Sequence, residues 1–354
     1  MSNENVIRAW AVKEAGGKLE RYDFDAGELG ADDVEIKVEY CGVCHSDLSM
    51  MNNEWGMSSY PLVPGHEAVG EIIRMGSAVK GLKVGQKVGI GWTSESCQHC
   101  NPCIGGHGNY CPENVPTIAG NGRDQGGFAD KMRAQWQWVI PLPGGIDMSK
   151  AGPLLCGGIT VFEPLLQHNI NASHKVGVIG IGGLGHMAID FFNKWGCEVT
   201  AFSSTPDKYD EIRAMGAHNI LNSRDPEEFA AAAGTFDLIV STVSVKHDWN
   251  AYLRLLKPQG KLHIVGATLD PMDINAFALI AGERRGRGAR WRSAGGSPRR
   301  HPRRRARAPG RRLDRTPGKN VAPQPGFQRR VEVGQRRLPS DSAGRGEIIL
   351  QQFC

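Results

Sequence analysis

The sequence predicts an α/β chain: a β-rich first part, then a doubly wound parallel sheet, and near the C-terminus a segment that fits neither. Three observations predict it. The chain has 354 residues, more than one ordinary core organises, so two domains are expected. Up to about residue 152 the apolar residues come in short alternating runs punctuated by glycine, the rhythm of β-strands. From about Pro153 to residue 282, strand-like runs alternate with helix-like ones, the βαβ rhythm of a parallel sheet covered on both faces.

Each element has its own justification. In "VEIKVEY", Val34, Ile36 and Val38 alternate with Glu35, Lys37 and Glu39, which predicts a half-buried strand with its charges outward. "AVGEII" and "QKVGIG" read similarly. In the second part "KVGVIG" is a buried strand, and "HMAIDFFNKWG" a helix ending at Gly196. "EVTAFS" is the next strand, followed by a helix in "PDKYDEIRAMG" with Pro206 in its first turn. "HNILN", "FDLIVST" and "KLHIVGA" complete the strands.

Composition excludes several classes. With 40% hydrophobic and 22% charged residues the chain reads as globular, and no apolar run reaches the length of a membrane span. The N-terminal "MSNENVIRAW" lacks the basic and apolar stretches of a signal peptide, so a cytoplasmic location is expected. Nine cysteines in a reducing compartment suggest metal or catalysis before disulfides. The net charge of +5 hides an asymmetry. Residues 283 to 345 hold nineteen Arg and one Lys against four acids, a net of +16, which leaves −11 on the rest. "RRHPRRRARAPGRRLDR" has no hydrophobic period and is expected to be disordered; regularity returns only at "GEIIL", in residues 346–354.

Cys97, Cys100, Cys103 and Cys111 follow the spacing C-x2-C-x2-C-x7-C. Four thiolates suit a closed, tetrahedral structural zinc, and the Gly, Asn and Pro residues between them suit tight turns. A redox pair needs only two of them, disulfides need an oxidising compartment, and an iron–sulfur cluster is the chief rival. A second set is dispersed. "CGVCHSD" offers Cys44, "PGHEAVG" His66 and "LLCGGIT" Cys156, two sulfurs and an imidazole that leave a fourth zinc position open for water or substrate. Each alone is weak, since a buried Cys is usually a small apolar residue and a lone His a satisfied polar one. Asp47 can orient the His66 ring, and Ser46 can carry a substrate proton outward. His45 can donate to a cofactor phosphate or simply stand exposed. Glu67 either approaches the metal during ligand exchange or is a buried carboxylate in an ion pair.

"GIGGLG" places Gly180, Gly182 and Gly185, with Gly183 and Leu184 between, in G-x-G-x-x-G spacing after a strand and at the start of a helix. That context turns a weak motif into a pyrophosphate-binding turn. The next strand lacks the acid that would bind a ribose 2′-hydroxyl at its end. It has Ser203, Ser204, Thr205 and Lys208, neutral donors and a cation, which predict NADP(H).

Taken in order, these motifs resemble the zinc-dependent medium-chain alcohol dehydrogenases, in particular the NADP-dependent branch of cinnamyl alcohol dehydrogenases and aldehyde reductases. The resemblance covers roughly residues 6 to 282. It implies a GroES-like catalytic domain over residues 1–152, to which 346–354 would return, and a Rossmann domain over 153–282. It implies a catalytic zinc on Cys44, His66 and Cys156 with Glu67 nearby, and a structural zinc on Cys97, Cys100, Cys103 and Cys111. It places Thr160 near the nicotinamide and Thr242 and Gly266 along the cofactor. The implied reaction is reversible hydride transfer between NADP(H) and a primary alcohol or aldehyde, by a dimer or tetramer.

Two departures stand out. Many members carry a His near Ser49 to end a proton path; here Ser49 or water must do so. And residues 283–345 are rich in Arg, Gly and Pro where aliphatic strands belong, as a shifted reading frame would produce. The competing expectations are a polyol or other secondary-alcohol dehydrogenase on the same scaffold, and a chain made inactive by that segment. Trp55 and Trp92 can line a pocket for an apolar or aromatic substrate, or simply pack. Specific nucleic-acid binding by the arginines is not expected, because only Trp291 and Phe327 stand among them and no folded reader accompanies them.

Overall fold

The computed structural model describes residues 4–118, 126–267, 269 and 271–288. The first part runs β1 (Val6–Ala11), β2 (Glu20–Asp25), β3 (Asp33–Cys41), α1 (His45–Met51), β4 (Ala68–Met75), β5 (Lys87–Ile90), β6 (Thr93–Glu95), α2 (Asn101–Ile104), β7 (Val115–Pro116), β8 (Lys131–Gln135) and β9 (Ile140–Pro141). Its main sheet has the order β8-β3-β4-β5-β9, all antiparallel. Val34, Ile36 and Val38 of β3 pack with Ile72, Val88, Ile90 and Met132 from its neighbours, while the β1–β2 hairpin adds Ile7 and Ala9 to the same core.

One predicted outward charge points inward. Glu35 is 1% exposed and its partner Arg133 2%. Arg133 Nε donates to Glu35 Oε2 at 2.8 Å, and its Nη1 donates to the carbonyls of Ala26 and Gly27 at 2.9 Å. Arg74 donates to both Glu35 oxygens. Burial pushes the Glu35 carboxyl up, but the Arg74 and Arg133 hydrogen bonds outweigh it and hold it below the usual carboxylate range. Alternation fails here because Arg133 and Arg74, paired with Glu35 from β8 and β4, close over it, Arg133 reaching on to the carbonyls that follow β2.

The second part runs α3 (Met148–Ala151), α4 (Gly157–Gln167), β10 (Lys175–Ile179), α5 (Gly183–Trp195), β11 (Glu198–Ser203), α6 (Tyr209–Ala214), β12 (Asn219–Asn222), α7 (Pro226–Ala231), β13 (Phe236–Ser241), α8 (Trp249–Leu255), β14 (Leu256–Ile264), α9 (Ala276–Ile280) and β15 (Arg285–Gly288). The sheet is parallel, in the order β12-β11-β10-β13-β14-β15. Val161, Leu165, Ala188, Ile189 and Phe192 of α4 and α5 cover one face; Trp249, Tyr252 and Leu253 of α8 cover the other. As predicted, α5 ends at Gly196, whose φ of 97° lets its N–H and that of Cys197 reach back to Asn193 and Phe192 carbonyls. Strand order reverses between β10 and β13. That is the switch point at which a doubly wound sheet opens a crevice at its C-terminal edge.

The ladder extends past the point where the apolar pattern stops. Arg285–Gly288 pairs with Lys261–Ile264, because a parallel ladder needs only backbone groups. The rest of the arginine-rich segment and residues 346–354 lie outside the described residues. No helix among the described residues is long and apolar enough to cross a membrane.

Candidate metal centres and dinucleotide site

Three loops bring the dispersed set together. Cys44 precedes α1, His66 lies on the turn into β4, and Cys156 precedes α4. Their exposures are 9, 0 and 4%. His66 Nε2 lies 3.1 Å from Cys156 Sγ, and the two sulfurs are 3.9 Å apart. One ligand atom from each of Cys44, His66, Glu67 and Cys156 falls within 4.8 Å of the others. Two sulfurs and one imidazole nitrogen converging in a buried space is a donor set that suits zinc.

Asp47 organises this cluster. Its Oδ1 accepts from His66 Nδ1 at 2.9 Å and from the Gly65 N–H at 2.8 Å, and its Oδ2 accepts from the Cys44 N–H at 2.9 Å. One carboxylate thus fixes the backbone of one candidate ligand and the tautomer of another. Burial opposes protonation of His66, but the Asp47 charge outweighs it and holds the ring well above its usual value. Glu67 lies alongside. Burial pushes its carboxyl up to about 7, against the pull of His66 and with the push of Cys44 and Asp47. Its Oε2 is buried with no hydrogen-bond partner, an orphaned oxygen beside the sulfurs. Gly42 leaves the room it needs, since a Cβ there would overlap Glu67 Oε2.

Ser46 Oγ lies 3.6 Å from Cys44 Sγ, and His45 is exposed at the start of α1. Ser49 is buried on the same helix. Its hydroxyl donates to Glu54 Oε2 at 2.7 Å, and Asn52 Nδ2 donates to Glu54 Oε1 at 3.0 Å. Glu54, which reaches solvent, was not singled out in the sequence; its five-residue offset from Ser49 belongs to a turn closed by Glu54 N–H to Ser49 O, not to a helix face. Trp92 places its ring edge-on to His66, with centroids 5.3 Å apart, and Trp55 lies 6.1 Å beyond.

The four-cysteine lobe is different in kind. Cys97, Cys100, Cys103 and Cys111 also hold their sulfurs within 4.8 Å, but only Cys111 is buried. Helix α2 carries Cys103, and Cys100 precedes it. Backbone N–H groups of Cys100 and Glu113 donate to Cys97 Sγ and Cys111 Sγ at 3.3 Å. The Cys97 thiol is held at about 6, first by the backbone of His99, against partial burial, and then by Cys100. No fourth position is open once four thiolates bind one ion.

At the switch point, Gly180 takes a φ of 83° after β10, Gly182 caps α5 and Gly183 begins it. A Cβ at Gly185 would overlap the Gly180 carbonyl oxygen, so helix and turn pack as the motif requires. Leu184 is partly buried against the α4–α5 core. Thr242 pins the turn, its hydroxyl 2.8 Å from Gly180 O and 3.0 Å from Ile179 O. A Cβ at Gly266 would overlap the Val243 carbonyl, which puts this residue at the same crest. Ser203 ends β11, with Ser204, Thr205 and Lys208 in the following turns. Thr160 lies in α4, its N–H bonded to Cys156 O at 3.0 Å, so one helix start joins the buried cluster to the dinucleotide half.

A doubly wound sheet with a glycine turn, beside a β-rich part with a buried Cys-His-Cys cluster, defines the class of zinc-binding dehydrogenases. Known proteins agree. Residues 30–144 match the alcohol dehydrogenase GroES-like domain family, and residues 183–302 the zinc-binding dehydrogenase family. An aldehyde reductase of Synechocystis is 53% identical over 279 residues, covering 79% of this chain and 82% of that protein. A probable cinnamyl alcohol dehydrogenase of Oryza sativa subsp. japonica is 43% identical, covering 81% of each. Among solved structures, a cinnamyl alcohol dehydrogenase of Sorghum bicolor superposes with a TM-score of 0.77 at 41% identity, covering 81% of this chain and 84% of that one. A Helicobacter pylori cinnamyl alcohol dehydrogenase complexed with NADP(H) gives 0.74 at 31%, covering 80% and 83%. The chain belongs to the zinc-dependent alcohol dehydrogenase family, with a GroES-like part and a Rossmann sheet.

Proposed function

We propose that this chain is a zinc-dependent aldehyde reductase, moving hydride between NADP(H) and a primary alcohol or aldehyde. The observation that carries the reading is the convergence of Cys44, His66 and Cys156 in a buried space, oriented by Asp47. These three would hold the catalytic ion; Cys97, Cys100, Cys103 and Cys111 would hold a structural one. When bound, the ion supplies Lewis acidity at the substrate oxygen, and the nicotinamide gives or takes the hydride.

The chain's own residues do the rest. Asp47 keeps the His66 tautomer that presents Nε2 to the sulfurs. Ser46 exchanges a proton with the substrate hydroxyl, and Ser49 with Glu54 provides the way to solvent. Trp92 and Trp55 wall the site with apolar surface, which suits an aromatic or extended aliphatic aldehyde. Glu67, within reach of the same cluster, would stand beside the ion. Gly180, Gly182, Gly183 and Gly185 would take the pyrophosphate; Ser203, Ser204, Thr205 and Lys208 the 2′-phosphate; Thr160, Thr242 and Gly266 flank the dinucleotide. His45 would donate to a phosphate.

We place the first two parts at 1–152 and 153–282, followed by the basic segment 283–345, and propose a cytoplasmic homodimer. A second reading is a chain that folds its sites but does not turn over, favoured by the Arg-Gly-Arg-Gly composition of β15 at the sheet edge. Assaying NADPH oxidation with benzaldehyde, and NADP+ reduction with mannitol, alongside a zinc count, tests all of these. Aldehyde turnover with two zincs supports the first reading. Preference for the polyol replaces it with a secondary-alcohol dehydrogenase. Two zincs without turnover select the inactive chain.

A further inference from the structure

Lys208 is not the only cation at the end of β11. β12 pairs in parallel with β11, Asn222 opposite Ser203, and the Ser223 N–H donates to Ser203 O at 3.2 Å. The two strands therefore end side by side, and Arg224 follows β12 as Ser204 and Thr205 follow β11. The chain turns at that point because Asn222 Oδ1 accepts the Arg224 N–H at 3.0 Å.

Two of the three acids that follow Arg224 are engaged by backbone N–H groups. Asp225 Oδ1 caps α7, accepting the N–H groups of Glu227 and Glu228 at 2.9 and 3.2 Å. Glu228 Oε2 turns back onto the Asn222 N–H at 2.6 Å. Arg224 itself is exposed, and no ion pair or side-chain hydrogen bond of its guanidinium is formed among the described residues. A planar, permanently charged fork with no protein partner among the described residues, on the turn next to the one that carries Ser204 and Thr205, is suited to a phosphate dianion, which it can hold with two parallel hydrogen bonds.

We propose that Arg224 is a second cationic ligand of the ribose 2′-phosphate and a determinant of the preference for the phosphorylated dinucleotide. This rests on the NADP(H) reading of the same site. It assigns to the β12 edge a share of specificity that the β11 run was expected to carry alone. Lys208 contributes a mobile point charge; Arg224 contributes geometry as well.

The test is binding to the full-length chain, followed by dinucleotide fluorescence, with NADPH and NADH titrated separately. Arg224→Gln should weaken NADPH about ten- to a hundredfold, the range for losing hydrogen bonds to a charged group. It should leave NADH within about twofold. Arg224→Lys should lie between Gln and wild type, since it keeps the charge and loses the fork. Adenosine 2′-monophosphate should compete less well against the Gln variant, and adenosine 5′-monophosphate equally. Equal weakening of both dinucleotides, or no change in either, overturns the assignment. If the wild-type chain itself binds NADH as tightly as NADPH, the cofactor reading fails and the inference with it, a result distinct from a wild-type preference that survives Arg224→Gln.

Discussion

Two clusters of sulfur ligands lie in the first half of this molecule, and they are built on opposite plans. The lobe ligands come from fifteen consecutive residues, sit half-exposed, and take their support from local backbone N–H groups. The other cluster draws Cys44, His66 and Cys156 from three loops, buries them, and supports them with one carboxylate, Asp47. A closed thiolate set made of local sequence can only hold a loop. An incomplete set made by tertiary structure, with an orphaned Glu67 oxygen beside it, leaves room for a substrate. On the function proposed above, the number and the origin of the ligands would separate a structural site from a reacting one, though the donor atoms are nearly the same.

The largest effect is expected where the buried set loses a ligand. Cys156→Ser should reduce aldehyde turnover by about a thousandfold or more, roughly 4 kcal/mol of barrier. The zinc count should fall from two to one, the lobe keeping its own. Loss of both ions would break the comparison, because it would make the two sites one folding unit.

Next in size is a change that touches neither cluster. Glu35→Gln leaves Arg133 buried without its counter-charge and should cost about 3 kcal/mol at pH 7, read by urea denaturation. The sign with pH follows from the lowered Glu35 carboxyl. Its contribution is complete above the free Glu value of about 4.3 and disappears as pH falls through the folded-state value. The gap between wild type and variant should therefore close in acid. A gap constant from pH 7 down through the acid range would mean that packing, not charge, holds this pair.

Smaller again is Asp47→Asn, expected to lower activity or metal affinity at the buried site about ten- to a hundredfold, as loss of a supporting carboxylate does. Zinc titration of the metal-depleted variant would show the weakening at one site only. The smallest effect on chemistry belongs to the lobe. Cys103→Ser should lose the structural ion and lower Tm, yet leave kcat per buried-site zinc within about threefold, since that ion touches no substrate. A kcat that falls with the lobe's metal would assign the lobe a part in the reaction.

The comparison also explains what could be read beforehand. Local patterns were legible: the lobe's spacing, the glycine turn, the alternation of β3, the end of α5 at Gly196. So was the dispersed ligand set, because Cys44, His66 and Cys156 each lie in a distinctive short motif. Their convergence was expected from the family resemblance and not from spacing, since His66 and Cys156 are 90 residues apart and meet only through the fold. The burial of Glu35, which depends on Arg133, was not legible. Thr242 was expected along the cofactor, but nothing local indicates that its hydroxyl pins the Gly180 turn. The Ser49–Glu54 bond depends on how one turn closes after α1. Arg224 becomes visible only when β11 and β12 are set side by side.

X-ray absorption at the zinc edge tests the two-site account most directly. A fully loaded chain should hold two zincs, averaging about three sulfurs and one nitrogen or oxygen per ion, the mean of a four-thiolate site and an open Cys-His-Cys site. One zinc per chain with four sulfurs, or two with no nitrogen ligand, would contradict it.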